Sequence, residues 1–150
     1  MASKYGGYMG KVLKIDLTSR QVSEYPFSDE DRELYIGGKT MAAKILGDHL
    51  TGKEKAFSED NLLVVTTGPM TGSGAPSSSR FNISTLSPQT GYITSSNCGG
   101  HFGYYLKKAG LDALILTGRC DKPSWIEIQN EKVIFHDAGD IWGMTSSQPA

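Results

Sequence analysis

Two stretches of this chain combine small residues with polar atoms suited to holding an anion. One is Gly72-Ser73-Gly74-Ala75-Pro76-Ser77-Ser78-Ser79-Arg80, the other Ser95-Ser96-Asn97-Cys98-Gly99-Gly100. With so little side-chain bulk, main-chain N–H groups can come close to a ligand. The second stretch reads as a loop running straight into a helix. A helix start preceded by Gly and Ser gathers unpaired N–H groups and the positive end of the helix dipole. Arg80 adds a permanent positive charge on a planar fork of donors that matches phosphate. Asn97 offers a neutral carbonyl oxygen, a fair ligand for Mg²⁺ held between phosphates. Together these residues suggest an anionic, phosphate-bearing ligand. Gly/Ser-rich loops also serve as plain turns, and neither stretch has the GxxxxGK[ST] or GxGxxG spacing of a nucleotide site. The residues alone therefore support an anion-binding domain and nothing narrower.

The elements that would position these loops can be read from periodicity. Alternation predicts a strand over 12–17, a turn at Thr18-Ser19-Arg20-Gln21 and a return strand over 22–27. Ser28 followed by three acidic residues predicts a capped helix over 29–35, broken by Gly37-Gly38. From Thr40 the apolar positions Met41, Ile45, Leu46 and Leu50 take helical spacing. Strands are predicted over 62–66, 81–87 and, briefly, 92–94, with a loop over 95–100. A helix over 101–109 closes at Gly110, followed by a strand over 111–118 and a hairpin of 125–129 with 132–136 across Asn130-Glu131. The expected class is α+β, with mixed or antiparallel sheets and few helices.

Composition narrows the function classes. The chain has 150 residues, which fits one domain and one modest core. Its 15 Lys and Arg against 16 Asp and Glu leave a net charge of −1. That balance argues against a nucleic-acid binder and against docking on anionic lipid. No apolar run has the length of a membrane span, and the first residues carry no apolar leader. Cys98 and Cys120 are the only cysteines, too distant in sequence for a CxxC pair. They suit a reduced, cytoplasmic protein, and they are too few to supply the thiolates of an iron–sulfur cluster. The sequon Asn82-Ile83-Ser84 is read as chance.

Ordered blocks along the chain resemble the aldehyde ferredoxin oxidoreductase family. They are Gly10-Lys11-Val12-Leu13-Lys14-Ile15-Asp16-Leu17, Tyr35-Ile36-Gly37-Gly38-Lys39, the run from Gly68-Pro69-Met70 through Ser79-Arg80-Phe81-Asn82, and Leu86-Ser87-Pro88-Gln89-Thr90-Gly91. Ser96-Asn97-Cys98-Gly99-Gly100-His101-Phe102-Gly103, Leu106 to Ala113, Leu116-Thr117-Gly118-Arg119 and Ile141-Trp142-Gly143 follow in order, so the likeness runs from about Tyr8 to Gly143. It implies the pterin-binding N-terminal domain of an enzyme that oxidises aldehydes to carboxylic acids. The metal, tungsten or molybdenum, is held by two pterin cofactors with Mg²⁺. Electrons pass through a [4Fe–4S] cluster to ferredoxin. Matched to the family pattern, Arg80 lies between pterin and cluster. Asn97 goes with the Mg²⁺ that bridges the pterin phosphates. Ser96, Gly99 and Gly100 form the loop against the cofactor.

The resemblance also implies what these residues do not carry. The second half of the pterin-binding domain, the cluster cysteines and the acid–base residues near the metal belong to later parts of the family pattern, and the stretch 144–150 departs from it. A truncated product, an engineered domain or one component of a split enzyme would each fit, and catalysis by this stretch alone is not expected. Self-association, or association with the remaining domains, is expected instead. A non-catalytic association module and a generic phosphate binder are the rival readings. Individual residues have plain readings too. Cys98 is expected to be small and buried, and His101 to cap or pack. His136 is expected at the surface, and Lys107 and Lys108 to favour a helix C-terminus. Asp112 is expected as a turn acid, with Trp125 and Trp142 as core or edge aromatics.

Overall fold

The computed structural model describes residues 3–130 and 132–145. Strands β1 (Val12–Asp16) and β2 (Gln21–Glu24) form an antiparallel hairpin. Helix α1 (Asp29–Tyr35) starts with the capping box expected of Ser28 and its acids: the Ser28 hydroxyl accepts from Asp31 N, and the Asp31 carboxylate accepts from Ser28 N. Helix α2 (Gly38–His49) begins two residues before the predicted start, because the second glycine of the pair joins the helix. It buries Met41, Ala42, Ile45 and Leu46 as one stripe.

The remaining elements are β3 (Leu63–Thr67), β4 (Phe81–Leu86), β5 (Ile93–Cys98), α3 (Phe102–Lys108), β6 (Ala113–Thr117), β7 (Ser124–Gln129) and β8 (Lys132–Asp137). Six strands form one sheet in the order β2-β1-β6-β3-β4-β5, and β7 and β8 make a separate hairpin. Within the large sheet β1 and β6 run parallel and every other pair antiparallel. The fold is α+β with a mixed sheet and few helices, as its sequence suggests.

Two cores flank the large sheet. Val12, Val64, Ala113 and Ile115 face α2 and pack with Met41, Ile45, Leu46 and Phe27. Leu13, Ile15, Val65 and Leu114 face the other way, onto Leu106 of α3, Leu111 and the inner residues Ile126, Ile128, Val133 and Phe135 of the hairpin. The central strands are thus covered on both faces, which is why they read as apolar runs.

One expectation about the second loop is corrected. Ser95, Ser96, Asn97 and Cys98 are strand residues, because β5 pairs with the whole of β4 from Leu86↔Ile93 to Phe81↔Cys98. Serine and asparagine carry little strand preference, and here pairing overrides it. Strand β5 is one edge of the sheet and nearly all of its residues are exposed, Cys98 included, so Cys98 is not the buried small residue expected.

Candidate functional site

The predicted site residues gather at one end of the large sheet. There β3 ends at Thr67 and the loop 68–80 begins, β4 starts just after Arg80, and β5 ends at Cys98 beside Asn97. Strand register decides which side chains share a face. Asn82 pairs with Asn97 and Ser84 with Ser95, on the face covered by α2; Phe81 pairs with Cys98 and Ile83 with Ser96, on the face of α3. Asn97 and Ser96 therefore point to opposite sides of the sheet, although they are neighbours in sequence. Gly99 and Gly100 lie beyond the strand end, and a methyl group at either would meet nothing within 4 Å. The main chain there is open to a ligand.

On the α2 side a cleft of about 270 Å³ is lined by Gly37, Gly38, Thr71, Ser78, Arg80 and Asn97, among others. The structure thus brings Arg80 and Asn97 together and adds the start of α2 to them. That helix begins at Gly37 with no side-chain cap, so its first N–H groups and its positive end stand at the cleft. Helix α3, where an anion site was expected, has only seven residues, and His101 gives it no side-chain cap hydrogen bond; its ring packs near Tyr105 instead. The pair Gly37-Gly38 ahead of a helical repeat is the signal that could have marked the better helix.

Packing explains why glycine stands at Gly37. A Cβ there would lie 2.7 Å from the Thr67 carbonyl oxygen and 3.0 Å from Gly68 Cα. Thr66 Oγ1 donates to Gly38 O at 2.9 Å, which ties the helix start to β3. Thr71, buried at the base of the loop, accepts from Gly68 N at 3.2 Å and donates to Arg80 O at 3.0 Å, so one hydroxyl closes the loop 68–80. The guanidinium of Arg80 is exposed and has no ion-pair or hydrogen-bond partner among the described residues.

Behind the loop lies a buried ion pair that the sequence concealed. Lys107 Nζ sits 2.5 Å from Asp112 Oδ1 and 2.7 Å from Gly7 O. The carboxylate of Asp112 also accepts from Met9 N and Gly10 N, and its main-chain oxygen accepts from Thr67 N and Thr67 Oγ1. Asp112 is thus the joint between the N-terminal segment, β3 and α3 rather than a turn acid, and Lys107, in the last turn of α3 as expected, is buried there. Gly72 packs onto this lysine: a Cβ there would lie 3.4 Å from Lys107 Cβ. Tyr8 donates to Ile36 O at 2.7 Å, and burial first, then the Asp112 charge, hold its phenol above the usual range, which keeps it a donor.

The chance reading of the sequon stands, while His136 and Trp142 depart from expectation. Asn82 is fully buried and hydrogen-bonded inside the sheet, so its sequon is closed to glycosylation in the folded chain. His136 is half-buried, stacked on Trp125 at 3.9 Å between ring centres and bonded to Glu127 Oε2 at 2.9 Å. Trp125 and Trp142 are both exposed. Of the turn predicted at Asn130-Glu131, Glu131 lies outside the described residues, as do 146–150 of the tail. No helix among the described residues is long and apolar enough to cross a membrane. No group of three or more His, Cys, Asp or Glu among them could hold a metal ion.

Comparison with known proteins gives concordant matches. The family model described as "Aldehyde ferredoxin oxidoreductase, N-terminal domain" matches residues 12–149, including most of the stretch 144–150. The tungsten-containing aldehyde ferredoxin oxidoreductase of Pyrococcus abyssi is 39% identical over 142 residues, covering 95% of this chain and 23% of that protein. An aliphatic sulfonate oxidoreductase, WOR-like subunit, of Pyrococcus furiosus is 34% identical over 140 residues, covering 91% of this chain and 22% of its own length. Among solved structures, the active-site complex BamBC of benzoyl coenzyme A reductase with 1,5-dienoyl-CoA superposes with a TM-score of 0.87 at 36% identity, over 90% of this chain and 21% of that one. The chain therefore spans less than a quarter of the length of each of these relatives.

Proposed function

Because the chain belongs to the aldehyde ferredoxin oxidoreductase N-terminal domain family, we propose that it forms part of the base for a bis-pterin tungsten or molybdenum cofactor. On this reading the complete enzyme oxidises aldehydes to carboxylic acids and passes electrons through a [4Fe–4S] cluster to ferredoxin. The cluster ligands and the acid–base residues then belong to regions of the relatives beyond the matched span. The observation that carries the reading is the convergence of Arg80, Asn97 and the uncapped start of α2 on one cleft.

The residues present fit phosphate-bearing cofactor arms. Arg80 supplies a guanidinium with no partner among the described residues, and the positive end of α2 favours negative charge beside it. Gly99 and Gly100 leave main chain open for close approach, and Ser96 acts through its carbonyl, which holds Asn82 in place behind Asn97. When bound, the pterin would supply the sulfur ligands of the metal and so the redox chemistry. The chain's own part is to hold the cofactor, neutralise its charge and orient it. Arg80→Ala in the complete enzyme tests this. The expected outcome is a fall in pterin and metal content with an unchanged melting temperature; full retention of both would refute the role.

The rival reading, a module for protein association, draws on the edge strand β5 with Tyr92 77% exposed beside it and on Phe102 and Tyr105 exposed on α3. Those surfaces equally suit the rest of a larger enzyme or a second copy. Stoichiometric pterin in the purified chain separates the two readings.

A further inference from the structure

The amide of Asn82 has one orientation, and that orientation passes to Asn97. Asn82 is 1% exposed, inside β4. Its Nδ2 lies 3.2 Å from the main-chain oxygen of Ser96, an atom that can only accept. The nitrogen therefore faces β5, and Ser84 Oγ donates to Oδ1 at 2.6 Å. The same Nδ2 lies 3.2 Å from the Asn97 side chain, so the atom that Asn97 turns toward Asn82 must be its oxygen. Asn97 Nδ2 is left on the exposed side, without a hydrogen-bond partner among the described residues, where Asn97 lines the cleft with Arg80. Among the described residues, no carboxylate lines that cleft.

We infer that Asn97 meets its ligand as a hydrogen-bond donor to an anionic oxygen, and that Asn82 is the positioning residue that sets its amide. The inference rests on the reading of the cleft as the cofactor's phosphate site, and it replaces the expectation that the Asn97 side chain gives an oxygen to Mg²⁺. A cation site would collect oxygens; this cleft collects a guanidinium, an amide N–H₂ and a helix N-terminus.

Inorganic pyrophosphate and Mg²⁺, each added alone to the isotope-labelled chain, provide the test. Pyrophosphate is expected to shift the Asn97 side-chain N–H₂ resonances, and Asn97→Asp to weaken its binding about tenfold or more by placing a carboxylate against the anion. Asn82→Leu is expected to move the Asn97 side-chain resonances before any ligand is added. Should that variant not fold, the exposed Asn97→Asp still decides. Pyrophosphate binding lost in Arg80→Ala but unchanged in Asn97→Asp overturns the inference and leaves the cleft reading intact. An unaltered chain that binds no pyrophosphate overturns both. Mg²⁺ binding at Asn97 that Asn97→Asp tightens assigns the residue to a cation and overturns the inference.

Discussion

Lys107 and Asp112 face each other at 2.5 Å with side chains only 5% and 2% exposed, five residues apart in sequence and joined across the turn from α3 to β6. Removing one member of a buried pair leaves the other charge uncompensated, at a cost of about 3 kcal/mol. Lys107→Met is therefore expected to lower the melting temperature by roughly 6–12 °C. It should also loosen the 7–10 segment, because Asp112 holds Met9 N and Gly10 N. Thermal unfolding with amide exchange at those two positions checks this; a melting temperature within a degree or two of the unaltered chain would contradict it.

Gly37 is expected to tolerate no side chain. In Gly37→Ala the methyl group would sit 2.7 Å from the Thr67 carbonyl oxygen, so α2 must shift away from β3. Overpacking of this kind costs about 1–3 kcal/mol, and the same shift moves the helix start that faces Arg80. The expected result is a lower melting temperature together with weaker pyrophosphate binding. Gly47, within α2, serves as the control, because a methyl there would meet nothing within 4 Å.

Glu54 provides a pH readout remote from the site. The Thr51 hydroxyl, then the main-chain N–H groups of the same turn, hold its carboxyl down to about 2 from an ordinary 4.5. A depressed folded value means that the bound turn is favoured wherever the unfolded carboxyl is already ionised, above about 4.5. The preference is lost as pH falls through about 2. The Glu54 side-chain carbon resonance should titrate near that lower value, with the Thr51 and Gly52 amides following. A midpoint near 4.5 would mean that the turn does not form.

Much of this fold is legible before any coordinates. The Ser28 capping box and the Met41–Leu46 stripe each carry a local signal that agrees with the structure. Strand β5 does not, because Ser95, Ser96 and Asn97 become a strand only through pairing with Asn82 and its neighbours. For the same reason the site was half visible. Arg80 and Asn97 could be singled out by residue type, but nothing local shows that Asn97 turns toward the α2 face while Ser96 turns away. Nor does sequence spacing reveal that the helix serving the cleft begins at Gly37-Gly38 instead of after Gly100. Lys107 reads locally as a helix C-terminal lysine and Asp112 as a turn acid, because the N-terminal segment that covers them lies about a hundred residues away.

The measurement that tests the central claim most directly is the tungsten, molybdenum and pterin content of the chain, purified without oxygen from cells fed tungstate. Near-stoichiometric pterin with metal is the predicted result, and it should fall away in Arg80→Ala. A folded chain that carries neither pterin nor metal, alone or joined to the remaining domains of the enzyme, would contradict the assignment of this cleft to the cofactor.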